Sequence, residues 1–159
     1  MDSVSKLFSI MGIVFIVILI LLLIFFILKI EQDQVIKDAT KDFNERVRFE
    51  GYITRDMYEN YMERISIKPL EIRFRHIKYK IDSSNREVLT IYTQREIIDE
   101  IYNNPNKIYK LEKHDEFIVQ VKELQPSIFE GVMQILTKSL AKPHIIVSKG
   151  GVVHNESYR

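Results

Sequence analysis

The chain contains no cysteine. That excludes disulfide scaffolds, thiolate-ligated zinc, iron–sulfur clusters and thiol catalysis together. It also lacks an excess of either charge: 23 Lys and Arg stand against 22 Asp and Glu, for a net charge of +1. The basic surplus of a nucleic-acid binder is therefore missing. Neither an internal repeat nor a low-complexity linker is visible. At 159 residues the chain suffices for one ordinary domain and not for two.

What is present is a segregation. Of the 45 charged residues, 43 lie between positions 29 and 159, the exceptions being Asp2 and Lys6. Residues 7–28 carry no charge, and apart from Ser9 and Gly12 they are all apolar. As a helix this run is ~33 Å long, against a bilayer hydrocarbon core of ~30 Å. A single segment can satisfy its backbone in lipid only as a helix. Three readings of the run compete. A cleaved secretory signal has a shorter apolar core and a small-residue cleavage site, whereas this run ends Phe25-Phe26-Ile27-Leu28-Lys29. A buried core helix ordinarily keeps a polar face. A permanent single-pass anchor fits best, with Leu7, Ile13, Ile20 and Leu28 within the lipid and Ser9 and Gly12 as small-residue contact points between helices. The flanking charges are nearly balanced (Asp2 and Lys6 before, Lys29, Glu31 and Asp33 after), so the positive-inside bias is weak. A short N-terminal tail ahead of a large body is the common exported layout. The expected location is the cell membrane, with the body extracytoplasmic.

The expected organisation is a tail over 1–6, a transmembrane helix over 7–28, its amphipathic continuation over 29–50, and a soluble α+β domain over 51–159. No Pro or Gly interrupts 13–50. Ile30, Val35, Ile36, Ala39, Phe43 and Val47 recur at near-helical spacing among charges, which predicts one rod of ~65 Å from Lys6 to a stop at Gly51. Val35, Ala39, Phe43 and Val47 are expected to pack on the body, against Tyr58 and Tyr61 of a second helix capped by Thr54 with an Ile53–Tyr58 staple. Pro69 marks that helix's exit.

Beyond it, 70–81 alternates as a strand whose apolar phase slips by one residue, predicting a bulge near His76. A turn follows over 82–86, then a strand over 88–92. Thr93 to Glu96 fits a capping box ahead of a short helix ending at Asn103-Asn104-Pro105-Asn106. Strands are expected at 108–111 and 116–124. Ser127 to Glu130 is a second capping box, opening a helix expected to bury Phe129, Val132, Met133, Leu136 and Leu140 before Pro143. A last strand over 145–147 is followed by a Gly150-Gly151 turn. The predicted fold is thus α+β: a long N-terminal helix packed on a small, mostly antiparallel sheet with short helices.

Chemistry-bearing patterns are sparse. His76, His114, His144 and His154 never stand at helical metal-ligand spacing. His76 reads as structural or exposed, and His114-Asp115-Glu116 as a solvated turn that could touch a cation. Gly150-Gly151 has no following helix to cradle a phosphate. No Ser occupies a nucleophile elbow. Asn155-Glu156-Ser157 matches a glycosylation sequon. Phe49, Tyr52, Tyr58 and Tyr61 form an aromatic group that reads as core packing rather than a stacking surface for bases or sugars. No catalytic, cofactor-binding or metal-ligating set is expected, and the chain is not expected to be an enzyme.

The segment from Phe43 to Tyr61, FNERVRFEGYITRDMYENY, resembles the "F…V…G.IT..MYE.F" segment of pilin-like membrane proteins of clostridia and related Firmicutes, which are similar to minor pilins of tight-adherence, type IV-like pili. Tyr109 to Val121 and the Ser148 to Glu156 stretch resemble the late strand and C-terminal Gly-Gly turn of the same proteins. The resemblance implies a non-enzymatic component of a secretion or pilus assembly system, acting by helix bundling and protein contacts. Its implied partners are the lipid bilayer and other membrane or pilin-like subunits, further copies of this chain included, without nucleic acid. In that pattern Gly12 would precede a processed helix with Glu at its fifth position; here that position is Val17. The alternative is a single-pass anchored binding or sensor module that forms no filament.

Overall fold

A computed structural model describes residues 2–81, 87–103, 105–138 and 144–154. The turn expected over 82–86, Asn104, Leu140, Pro143 and the Asn155 sequon lie outside these residues. Helix α1 spans Asp2–Glu50 without a break. It ends where Gly51 takes φ 74° and its N–H donates to the Val47 carbonyl at 2.8 Å, a conformation that a Cβ would strain. The elements that follow are β1 (Tyr52–Thr54), α2 (Arg55–Ile65), β2 (Leu70–Ile81), β3 (Glu87–Thr93), α3 (Gln94–Asn103), β4 (Ile108–Lys110), β5 (Glu116–Glu123), α4 (Ile128–Thr137) and β6 (Ile145–Val152). The fold is α+β, a long N-terminal helix packed on antiparallel sheets with short helices.

The chain divides into two compact units: Met1–Asp33 with Pro126–Lys142, and Gln34–Gln125 with Pro143–Arg159. In the second unit, β3, β2, β5 and β6 lie side by side in that order, each pair antiparallel. β1 and β4 form a separate antiparallel pair, Ile53 opposite Tyr109. The α1 residues on this unit's core are Ile36, Ala39, Thr40, Phe43, Asn44 and Val47, each no more than 6% exposed. Their spacing of three and four residues traces one helical stripe. Val35, expected on that stripe, falls about 100° away from Ile36 around the helix and is 46% exposed. Of α2, Met57, Tyr61 and Ile65 are buried, and Tyr58 packs half-buried against the same core. The Phe43 ring stacks on Tyr61 with centroids 4.4 Å apart and lies 5.6 Å from Phe74. Phe49, by contrast, is exposed.

Two polar side chains tie α1 into this core. Asn44, 1% exposed, donates from Nδ2 to the carbonyls of Phe117 and Lys149, both at 3.2 Å. Thr40 Oγ1 and Tyr61 Oη share a hydrogen bond of 3.1 Å. Burial still pushes the Tyr61 hydroxyl pKa up to about 12.

Two strand expectations are corrected. The bulge expected near His76 is absent: β2 pairs residue by residue with β3 and with β5 through this stretch. His76 therefore keeps the core-facing parity of Phe74, while Ile77 and Tyr79 turn to the other face. The register shift occurs instead between Val121 and Lys122 opposite β6, and Ile146 and Val147 are both buried there. Gly150-Gly151 is not a turn but the interior of β6. A Cβ on Gly150 would stand 2.8 Å from Ile118 Cγ1, and one on Gly151 2.5 Å from Arg48 Cζ. Arg48 lies over Gly151 and donates from Nε to the Val152 carbonyl at 3.0 Å. The glycines admit close approach rather than reversal of the chain.

Helix starts follow local chemistry. Thr54 Oγ1 accepts from Met57 N at 3.1 Å. Glu96 Oε2 accepts from the Thr93 N–H and hydroxyl at 2.6 and 2.8 Å. Ser127 and Glu130 form a complete capping box. The helix behind that box departs from expectation: no residue of α4 is buried, and Leu136 is 63% exposed.

Candidate functional site

Two places concentrate what this chain can do. One is a closed polar cluster in the second unit. His76, on the core face of β2, is 2% exposed. Its Nδ1 lies 2.5 Å from the Tyr109 hydroxyl of β4, and its Nε2 lies 2.7 Å from Asp115 Oδ2, just before β5. Tyr109 and Asp115 are 4% and 3% exposed. The Tyr92 ring of β3 stacks on the imidazole at 5.3 Å. Asp115 Oδ2 also accepts the Glu112 N–H at 2.8 Å. The network assigns the tautomer: Tyr109 O–H donates to Nδ1, and Nε2–H donates to the carboxylate. Burial lowers the His76 pKa, and the Asp115 hydrogen bond and charge only partly restore it. Burial likewise raises the Tyr109 hydroxyl well above its ordinary value, which keeps it a donor. The cluster is a neutral imidazole held between a hydroxyl and a carboxylate, with its hydrogen-bonding capacity filled. It joins β2, β4 and the turn before β5.

Sequence reading placed His76 correctly in a strand but assigned it no partner. Of the solvated turn expected over His114-Asp115-Glu116 only His114 is exposed, at φ 75°, and Asp115 is buried. The missed signal was parity: His76 is two residues after Phe74, and a histidine on a core face needs partners. The other histidines are elsewhere. His154 N donates to the Arg48 carbonyl at 2.8 Å. His144 Nδ1 lies 3.2 Å from Glu123 Oε2, and that buried carboxylate also takes the Lys68 ammonium at 2.9 Å.

The other place is surface. In the first unit, the most apolar window of α1 has mean hydropathy 3.6, and none of it is buried. Leu7, Ile13, Ile20 and Leu28 are 58, 60, 52 and 45% exposed. Ser9 is exposed, and nothing lies within 4 Å of where a Gly12 Cβ would be. Near the end of this run the Phe26 and Phe129 rings meet at 5.1 Å, and Lys29 pairs with Glu130. Burial alone would raise the Glu130 carboxyl pKa, but Lys29 and the Ser127 N–H outweigh it and hold it below the usual range. In the second unit, the outer face of the β2–β3 hairpin carries Tyr79, Leu89 and Ile91, 43, 56 and 53% exposed, with Ile77 opposite Ile91 and Tyr79 opposite Leu89. On the same sheet an open depression of about 400 Å³ is lined by Arg73, Arg75 and Arg95. The geometry thus puts its buried chemistry out of reach and its apolar surface on display. No protein-family model, no curated protein and no solved structure matches this chain.

Proposed function

We propose that the chain is a non-enzymatic, membrane-anchored, pilin-like component of a secretion or pilus assembly system. The carrying observation is the uncharged run of residues 7–28, nowhere buried and mostly exposed, on a helix that continues without a break to Glu50. Left in water, that surface would cost about 25 cal/mol for each Å² of apolar area. Lipid, or the matching helices of neighbouring subunits, removes the cost. Ser9 and Gly12 lie on one face at i and i+3, where a second helix can approach closely. The exposed Tyr79, Leu89 and Ile91 supply a contact surface on the body.

The test uses the absence of native cysteine. Full-length protein carrying Gly12→Cys or Val14→Cys is placed in phosphatidylcholine vesicles and oxidised. Helix bundling through the small-residue face yields disulfide dimers at position 12 and few at position 14, while the unmodified chain stays with the membrane through alkaline carbonate extraction. Extraction into the supernatant refutes the anchor. Retention with no dimer at either position refutes bundling and leaves the second reading, an anchored extracytoplasmic binding or sensor module, which the outer-face patch and the arginine-lined depression also support.

A further inference from the structure

Resting on the anchored reading above, we propose that α4 is a second membrane-contacting element, whose apolar face enters the boundary between headgroups and acyl chains in the leaflet that receives the end of the span. The ten residues of α4 are sharply two-sided. At 100° per residue, Ile128, Phe129, Val132, Met133, Ile135 and Leu136 share an arc of about 160°, and Glu130, Gln134 and Thr137 lie opposite. Ile128, Ile135 and Leu136 are 66, 79 and 63% exposed, so the apolar face is not spent on a core. A helix of this length covers about 15 Å and cannot cross a bilayer.

Its position identifies the occupant. Phe129 packs on Phe26, two residues inside the end of the uncharged run, and Glu130 meets Lys29, the first charge beyond it. An α1 helix that spans the bilayer therefore holds Phe129 at acyl-chain depth and Glu130 at the headgroups. Pairing with Lys29 offsets the one charge that α4 would carry there. Interfacial helices sit in this way, apolar face about 5–10 Å into the boundary and polar face toward water.

The chain contains no tryptophan, so single substitutions report without background. Full-length protein with Leu136→Trp, Ile135→Trp, Gln134→Trp or Leu19→Trp is reconstituted in phosphatidylcholine vesicles. Emission is quenched either by bromines placed near or far from the ester end of the acyl chain, or by aqueous iodide. Leu136→Trp and Ile135→Trp are expected to emit at shorter wavelength and to be quenched more by the near bromines. Leu19→Trp should be quenched more by the far ones, and Gln134→Trp mainly by iodide. Iodide quenching of Leu136→Trp and Ile135→Trp, with Leu19→Trp still quenched by bromolipid, overturns the α4 proposal and leaves the anchor standing. Shielding of Leu136→Trp from both quenchers overturns it in favour of a protein partner or second copy. A Leu19→Trp that no bromolipid reaches overturns the anchored reading, and this proposal with it.

Discussion

Replacing Asp115 by Ala removes the acceptor of two donors at once: His76 Nε2–H at 2.7 Å and the Glu112 N–H at 2.8 Å. Leaving a buried donor without a partner costs about 1–3 kcal/mol. The His76 side is 2% exposed and bears the full cost, whereas the Glu112 N–H is only partly buried and water replaces some of its bond. We expect about 2–4 kcal/mol of lost stability. The assay is guanidinium unfolding of the full-length protein in detergent micelles, followed by tyrosine near-ultraviolet circular dichroism. A double-mutant cycle with His76→Leu should return a coupling of about 1–2 kcal/mol, because the second substitution removes the donor that the first orphaned. The pH profile supplies an independent check. The folded-state pKa of His76 is lowered, so the unfolded chain binds the extra proton. The His76 contribution is then complete above the unfolded value of about 6.5 and shrinks as pH falls from there toward the folded value, by at most about 1.4 kcal/mol per pH unit. His76→Leu should remove that slope. Additive single effects in the cycle, within about 0.5 kcal/mol, together with an unchanged slope in His76→Leu, would refute the account of a neutral imidazole held by Asp115.

Phe43→Ala opens a void among Tyr61, Phe74 and Phe117, whose ring centroids lie 4.4, 5.6 and 6.2 Å away; about 3–5 kcal/mol should be lost in the same unfolding assay. Gly150→Ala drives a methyl group against Ile118 Cγ1 and should cost about 1–3 kcal/mol, and Ile118→Ala in the same chain, which removes that γ-carbon, should make the two substitutions together cost less than the sum of their single effects, as read by the unfolding midpoint. Ile20→Lys puts a charge in the middle of the apolar run at a cost of about 3 kcal/mol for insertion, so a larger fraction should leave the membrane on carbonate extraction; an unchanged fraction would count against the span.

Local chemistry was legible wherever a few adjacent residues settle the outcome. The Gly51 stop, the Thr54 cap, the Ser127–Glu130 capping box and the uncharged run of 7–28 depend on backbone sterics, near hydrogen bonds and hydropathy, all of which the chain carries within a turn or two. The α1 stripe is legible from Ile36, Ala39, Phe43 and Val47, and Val35 departs from it because the adjacent Ile36 takes the core-facing position. What tertiary structure alone decided depends on residues far apart in the chain. His76 stayed on the core face of an unbulged β2 because Tyr109 and Asp115 satisfy both ring nitrogens, and alternation by itself cannot see such partners. Gly150 and Gly151 are strand because they pair with Ile118 and Phe117 of β5, and they are glycine where Ile118 and Arg48 fill the space a side chain would need. Helix α4 has the composition of a core helix, yet its face is left open and its ring contact is with Phe26, about one hundred residues earlier. Sequence determined the helices, the apolar run and the strands apart from the second half of β6, since those follow from short-range free energies. Which surfaces meet and which stay exposed followed only from packing, because burial is a property of the assembled chain.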